Sequence, residues 1–196
     1  MKKHLFVILA LALGLGVAAC GDASNSNIAN NPRANAANLA DNTNTLPVSA
    51  DTKMSTEAEF FEKAAVGGMS EVEKGKLAAD KATTAELKKY GQMMVDDHTK
   101  ANNELKALAA KKNVTLPTAP DADQKDKIAD LGSKTGKDFD DEFIDQMIDD
   151  HEKTVALFET TAQGAGDSDI KAFAVKTLPT LKQHLAAIKT IEAARK

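Results

Sequence analysis

The sequence contains a single cysteine, few long hydrophobic runs and no excess of positive charge. Cys20 is the only cysteine in 196 residues, so a disulfide within the chain is excluded. Lys and Arg total 25 against 29 Asp and Glu, which argues against nucleic acid as a partner because such binding depends on basic side chains. The one long apolar run, residues 5–19, is too short to span a membrane comfortably.

The N-terminal segment MKKHLFVILALALGLGVAAC is organised like a secretory signal. Two lysines precede the apolar run, and small residues stand directly before Cys20, as in a bacterial lipobox. We predict that residues 1–19 are a lipoprotein signal peptide and that Cys20 becomes the lipidated first residue. The alternative is an ordinary cleaved signal with an incidental cysteine. Gly21 after the cysteine favours the outer membrane, with the protein facing the periplasm.

Residues 20–53 are expected to be a tether between the membrane and the folded domain. The segment is rich in Asn, Ala, Ser and Asp, has almost no large apolar residues, and contains the helix breakers Pro32 and Pro47. Such a composition cannot bury enough apolar surface to offset its ordering entropy. We therefore predict a disordered linker, with membrane attachment supplied by the acyl anchor on Cys20.

Residues 54–196 are predicted to form one all-α domain, because apolar residues recur with a period near 3.6 and no two-residue alternation is convincing. Ser55 or Thr56 is expected to begin the first helix, with Glu59 completing a capping box. The pair Thr83 and Thr84 is expected to cap the second. The expected helices end near Lys81, Lys112, Ala162 and the C-terminus, and the third and fourth begin near Lys137 and Ser168. A weaker helix is expected in residues 121–132.

The lengths of the links predict how these helices are connected. Short links join the first helix to the second and the third to the fourth, which makes each pair an antiparallel hairpin. Residues 113–136 separate the hairpins and are long enough to cross the length of a bundle, leaving the second and third helices parallel. Two hairpins joined by one long crossover are the arrangement of a ferritin-like four-helix bundle.

Two nearly identical segments, MVDDHTK at 94–100 and MIDDHEK at 147–153, place one histidine each on an apolar helix face. The helical period puts His98, His151 and His184 inward, near the middle of the second, third and fourth helices. Glu71 on the first helix has the spacing to reach the same layer. Small residues beside it, Gly68 among them, would allow the backbones to approach closely.

The segments that carry these histidines resemble a known family. They are GGMSEVEKGKLAADKATTAELKKYGQMMVDDHTKANNELKALAAKKNVTLP, FDDEFIDQMIDDHEKTVALFE and IKAFAVKTLPTLKQHLAAIK. Together they are similar to the domain of unknown function 4142 family over about residues 54–192. The resemblance implies a bacterial protein, secreted or membrane-anchored, with a ferritin-like fold. It implies no particular activity.

The histidine segments depart from the motif of ferritin-like di-iron proteins, which is Glu-x-x-His on two helices. The residues three places before the histidines are Val95, Ile148 and Leu181, so the bridging carboxylates are missing and a ferroxidase is not expected. Asp97 and Asp150 do not replace them, because adjacent helical residues point about 100° apart. We interpret both aspartates as parts of solvated helix faces.

Three interpretations of the histidine layer remain open. The layer is a structural one if the imidazoles bond to Glu71, Thr177 or a carbonyl freed by Pro179. It is a pH-responsive element if the imidazoles titrate. It is a site for a single transition-metal ion, zinc, copper or iron, if the imidazoles converge. The tentative metal ligands are His98, His151, His184 and Glu71. Met94 and Met147 are candidate soft ligands for copper, or they simply fill the core.

The sequence favours a binding or structural module over an enzyme. No nucleophile constellation, glycine-rich phosphate loop or pair of catalytic carboxylates stands out, so no catalytic residue is assigned. We expect an envelope-anchored lipoprotein that binds a metal or a protein partner. The alternative is a metal-dependent storage, redox or stress-protection protein that uses the histidine layer.

Overall fold

A computed structural model describes residues 50–195, with side chains from Thr56 to Arg195. This part of the chain contains five helices and no strand, which confirms the all-α prediction. The helices are α1 (Ala50–Lys81), α2 (Ala85–Lys111), α3 (Ala122–Ser133), α4 (Gly136–Gly164) and α5 (Ser168–Ala194). The predicted signal peptide, Cys20 and most of the predicted tether lie outside the described residues.

Short polar side chains begin three of these helices. Thr84 caps α2 as expected, its side chain accepting a hydrogen bond from the Leu87 N–H. Asp121 and Asp167 cap α3 and α5 in the same way. Thr83, the other half of the predicted threonine pair, instead donates its N–H to Asp140 of α4 at 3.0 Å.

The predicted start of the first helix is wrong, because α1 already begins at Ala50 and both Ser55 and Thr56 lie inside it. No proline or glycine stands between Pro47 and Gly67, so the sequence has no helix breaker at the predicted cap. Glu59 forms an ion pair with Lys63 one turn later and not a capping box.

The four long helices pack side by side in the order α1, α2, α5, α4, with α4 closing the circle against α1. Each neighbouring pair is antiparallel. Along α2 and α5, for example, Glu104 pairs with Lys176, whereas Asp97, seven residues earlier in α2, meets His184, eight residues later in α5. It follows that α2 and α4, which are not neighbours, run in the same direction. The short α3 packs on α1 and α4.

Two apolar clusters fill the interior at different heights. In one, aromatic rings of Phe60, Phe158 and Phe173 contact edge to face or tilted. In the other, Tyr90 packs on Phe143. On each long helix the candidate site residue lies in sequence between the members of the two clusters. A polar layer therefore separates two apolar cores.

Glycines bring α1 and α2 together beside this layer, as the small residues predicted. A Cβ on Gly75 would lie 2.7 Å from the Gly91 carbonyl oxygen, and one on Gly91 would lie 2.6 Å from the Gly75 carbonyl oxygen. Only glycine permits this approach at both positions. Within residues 50–195, no helix has the length and apolar character needed to cross a membrane.

Candidate metal centre

One residue from each long helix meets in the layer between the two apolar cores. Glu71 of α1, His98 of α2, His151 of α4 and His184 of α5 are between 0 and 4% exposed. The structure thus brings together all four residues that the helical period placed inward. Because these side chains are buried, their polar atoms cannot bond to bulk water and must find partners among their neighbours.

The three imidazole rings face one another at short range. Their centroids are 5.6 Å apart for His98 and His151, 5.2 Å for His98 and His184, and 5.4 Å for His151 and His184. One nitrogen of each ring lies within 4.8 Å of one nitrogen of both other rings. His151 Nε2 and His184 Nδ1 are separated by 3.4 Å.

Two of the three rings are also held by a group outside the set of three histidines. His151 Nδ1 lies 2.9 Å from the Met147 carbonyl oxygen, and His184 Nε2 lies 2.9 Å from Asp97 Oδ2. Because a carbonyl or carboxylate accepts hydrogen bonds, each contact places the ring N–H on that nitrogen. The opposite nitrogens, His151 Nε2 and His184 Nδ1, then keep their lone pairs. Metal-ligating histidines in proteins show this same outer hydrogen bond.

His98 and Glu71 contain the polar atoms of the layer that lack hydrogen bonds. Glu71 Oε2 lies 3.0 Å from His98 Nδ1, and Glu71 Oε1 lies 3.4 Å from His151 Nδ1. Neither contact has hydrogen-bond alignment, and both carboxylate oxygens and His98 Nε2 are buried without a partner. An unpaired buried polar group costs about 1–3 kcal/mol, so three such atoms in one place indicate a site for a ligand.

Burial controls the protonation of the layer. It is the main cause of the raised pKa of Glu71, about 7; His151 and Lys74 oppose the increase, and Asp150 adds to it. Burial lowers the pKa of His98 to about 4 even though Asp97 opposes this. The pKa values of the other two histidines are also lowered, again mainly by burial. The imidazoles are consequently neutral at pH 7, the form that binds metals.

The prediction that the aspartates of the repeat lie on solvated faces is wrong for Asp150, whereas Asp96 is exposed and Asp97 is partly exposed. Asp150 is 8% exposed and pairs with the fully buried Lys74 at 2.7 Å. The side chain of Asp97 is 44% exposed, yet it holds His184. The 100° offset from the neighbouring histidine turns each aspartate towards the adjacent helix, where Asp150 is buried and Asp97 stays partly exposed.

The repeated Asp-Asp-His segment now has a structural explanation. The helices that carry it, α2 and α4, run in the same direction, so the same residues turn the same way on both. Each histidine points inward, and the aspartate before it points to the next helix around the bundle. From α2 that helix is α5, where Asp97 finds His184; from α4 it is α1, where Asp150 finds Lys74.

Sequence reasoning missed Lys74, which extends the polar layer towards α3. Its ammonium group contacts Asp150 at 2.7 Å and Gln124 Oε1 at 3.1 Å, and Ser70 donates to the same Gln124 oxygen at 2.7 Å. Sequence spacing could have predicted it, because Lys74 lies three residues after Glu71 and therefore on the same inward face of α1.

The remaining candidates occupy other places. Met94 and Met147 are fully buried in the apolar cluster around Tyr90, and Met147 contributes its carbonyl oxygen to the site. Thr177 lines a cavity of about 20 Å³ that also borders Glu71 and His98. The polar partner of His184 is Asp97, where sequence had offered Thr177 or a carbonyl freed by Pro179.

Comparison with known proteins places the chain in a family. Residues 43–191 match the family described as Domain of unknown function (DUF4142). Searches of curated proteins and of solved structures found no match to the chain. Because the match covers most of the sequence and includes Glu71 and all three buried histidines, the protein belongs to the DUF4142 family.

Proposed function

We propose that this protein binds a single transition-metal ion through His98, His151 and His184. The proposal rests on the different surroundings of the two nitrogens in His151 and in His184. The outer nitrogens of His151 and His184 are occupied by Met147 and Asp97, and the inner nitrogens have no carboxylate or carbonyl partner. His98 contributes Nε2, a buried nitrogen without any hydrogen bond.

The separations suit an ion of the size of zinc. Ligand nitrogens about 2.05 Å from a tetrahedral ion lie roughly 3.3 Å apart. His151 Nε2 and His184 Nδ1 already lie 3.4 Å apart. The His98 nitrogen lies within 4.8 Å of the other two ligand nitrogens. It would have to approach them by about 1–1.5 Å, which a small side-chain rotation provides. Glu71 either completes the coordination or holds His98 from outside.

The donor set restricts the metal and the role. Three neutral imidazoles with a carboxylate or water suit zinc, copper or iron. Without the Glu-x-x-His pairs of di-iron oxidases, the site favours binding, storage or protection over oxidase turnover. Within the described residues, the group of His, Cys, Asp or Glu side chains close enough together to hold a metal ion consists of His98, His151 and His184.

The cellular setting is part of the proposal. The segment ending in Cys20 supports a lipoprotein anchored by its acyl chains in the outer membrane, facing the periplasm. The antiparallel hairpins α1–α2 and α4–α5, with α3 in the crossover, support a ferritin-like four-helix bundle. Loss of lipid labelling in Cys20→Ser, with the protein released from the membrane fraction, would support the anchor; unchanged fractionation would refute it.

A structural polar layer is the second candidate. It is favoured by the hydrogen bonds from His151 to the Met147 carbonyl and from His184 to Asp97, which satisfy one nitrogen of each ring within the protein. Buried polar contacts of this kind can fix helix register. The unpaired atoms of Glu71 and His98 are what this candidate leaves unexplained.

Metal content and thermal stability distinguish the two candidates. The full-length protein would be purified in detergent without a histidine tag, and zinc, copper and iron added in turn. Metal at 100 times its Kd stabilises by about 2.7 kcal/mol, which raises Tm by on the order of 5–10 °C in a domain of this size. The expected result is near-stoichiometric metal that His98→Ala and His151→Ala abolish and the exposed control Asp96→Ala retains. No metal, with large stability losses in the histidine variants, would establish the structural layer.

A further inference from the structure

A surface groove between α1 and α4 approaches the histidine layer. Its volume is about 1000 Å³. The smaller cavity of about 20 Å³ adjoins the groove and has Glu71 and His98 in its wall. Lys63, Gly67 and Thr154 line both spaces. The two are therefore neighbours across these three residues, and the inner one has room for about one water molecule.

Gly67 lies at this junction without a packing reason to be glycine. A Cβ added there would meet only Thr154 Oγ1, at 4.0 Å. Gly67 also lies inside α1, where glycine costs roughly 0.5–1 kcal/mol relative to alanine. The missing side chain leaves the wall between groove and cavity thin.

The groove is acidic. Its charged lining residues are Glu57, Glu59, Glu62, Asp121 and Asp150 against Lys63 and Lys153. Both lysines are paired with carboxylates, Lys63 with Glu59 and Lys153 with Asp149. A cleft lined with one sign of charge raises the local concentration of ions of the opposite sign.

We propose that the groove between α1 and α4 is the route by which a divalent cation reaches the histidine layer, passing Gly67 and Thr154. This inference rests on the proposed metal site. The acidic groove collects the hydrated ion, which sheds most of its water at the junction because the inner cavity is water-sized. The site then exchanges its ion with the surroundings while the bundle stays folded.

The single tyrosine allows the route to be tested in the intact protein. The chain has no tryptophan, and the Tyr90 hydroxyl lies 3.4 Å from the His184 carbonyl oxygen. Cu²⁺ is the probe, because imidazole sites bind it most tightly among the first-row divalent ions and it quenches nearby tyrosine fluorescence. Stopped-flow quenching gives the on-rate, and equilibrium titration gives the affinity.

Filling the junction should slow binding without weakening it. Gly67→Leu is expected to lower the on-rate at least about tenfold, because the junction must then open before the ion passes, with the affinity changed less than about threefold. Gly67→Ala, which the open space accommodates, should give a smaller decrease. Ala58→Leu places leucine on an exposed part of α1 outside the groove and should leave the on-rate unchanged.

Removing charge from the groove tests the second element of the route. Glu62→Gln is expected to lower the on-rate about twofold and to flatten its dependence on salt, whereas Glu73→Gln, on another exposed part of α1, does neither. Wild-type on-rates in folded Gly67→Leu and Gly67→Ala proteins would overturn the route and leave the metal site standing. Failure of the wild-type protein to bind Cu²⁺ would overturn both.

Discussion

At the scale of single residues, the chemistry of the layer depends on side chains that do not point into it. Asp97 fixes which nitrogen of His184 carries the proton, and the Met147 carbonyl does the same for His151. Asp150 and Lys74 place a buried ion pair against Glu71. The inward residues provide the donor atoms, and these neighbours set their orientation and charge.

Asp97→Asn should weaken metal binding by about 10–100-fold, because the amide no longer provides a charged acceptor for the His184 N–H. Isothermal titration with Zn²⁺ measures the change. Asp96→Asn is the matched control, since Asp96 is exposed and bonds only locally to Gln92 at 2.9 Å. Equal affinities for the two variants would show that the bond from His184 to Asp97 does not support metal binding.

Lys74→Ala should destabilise the domain by about 3–5 kcal/mol, because it leaves the Asp150 carboxylate buried without its partner. Urea unfolding followed by circular dichroism gives the free energy. The double variant Lys74→Met with Asp150→Leu should recover most of this loss, since it removes both charges. Lys189→Ala, which breaks an exposed pair with Glu152, should cost less than about 1 kcal/mol. A similar loss in both lysine variants would contradict the buried pair.

At the scale of helices, backbone contact between α1 and α2 sets the width of the bundle beside the site. At Gly75 and Gly91 the two helices touch through main-chain atoms and leave no space for side chains. Glu71 lies one turn from Gly75 on α1, and His98 lies two turns from Gly91 on α2. The glycine contact thereby helps to bring the Glu71 carboxylate to 3.0 Å from His98 Nδ1.

Gly91→Ala should destabilise the domain by about 1–3 kcal/mol, because its Cβ would lie 2.6 Å from the Gly75 carbonyl oxygen and the helices must separate. The same unfolding measurement applies, with metal affinity as a second readout that should also fall. Gly164→Ala is the control, since a Cβ there meets nothing within 4 Å. If the two variants were equally stable, the close contact would be excluded.

The sequence predicted features that depend on a single helix, such as inward faces and caps, and missed contacts between side chains of two helices. Periodicity placed His98, His151 and His184 inward, and the cap at Thr84 followed from local chemistry. The partners of Asp97 and Asp150 depend on which helix lies beside each, and no single helical period contains that information. The start of α1 was missed for a different reason: the helix runs through a Ser-Thr pair that offers a cap but does not break the helix.

At the scale of the whole molecule, opposed pKa shifts determine how the metal-free domain responds to acid. The three histidines have lowered pKa values in the folded state, so the unfolded chain binds more protons below about pH 6.5, and stability falls as pH decreases towards 4. Glu71 acts oppositely: its folded pKa of about 7, against an ordinary 4.5, favours the folded state as pH falls through that interval.

We therefore expect Tm of the metal-free protein to decrease between pH 6.5 and pH 4.5, because three groups oppose one. Thermal unfolding at pH 7, 5.5 and 4.5 tests this. Glu71→Gln should make the decrease steeper, since it removes the one group that gains protons on folding in this range. A Tm that stays constant or rises on acidification would contradict the expected balance. Lys74, Asp97 and Asp150 face the same layer and are present in both proteins.

The formal charges around the layer bear on the valence of the ion that the proposed site would hold. With neutral imidazoles, the carboxylates of Glu71, Asp97 and Asp150 and the single ammonium of Lys74 leave a formal charge of −2 around the site. One divalent cation brings that charge to zero. Protonation of Glu71, whose pKa is about 7, leaves −1, which one monovalent cation neutralises. In the proposed metal site, charge balance would thus couple the oxidation state of a copper ion to one proton on Glu71.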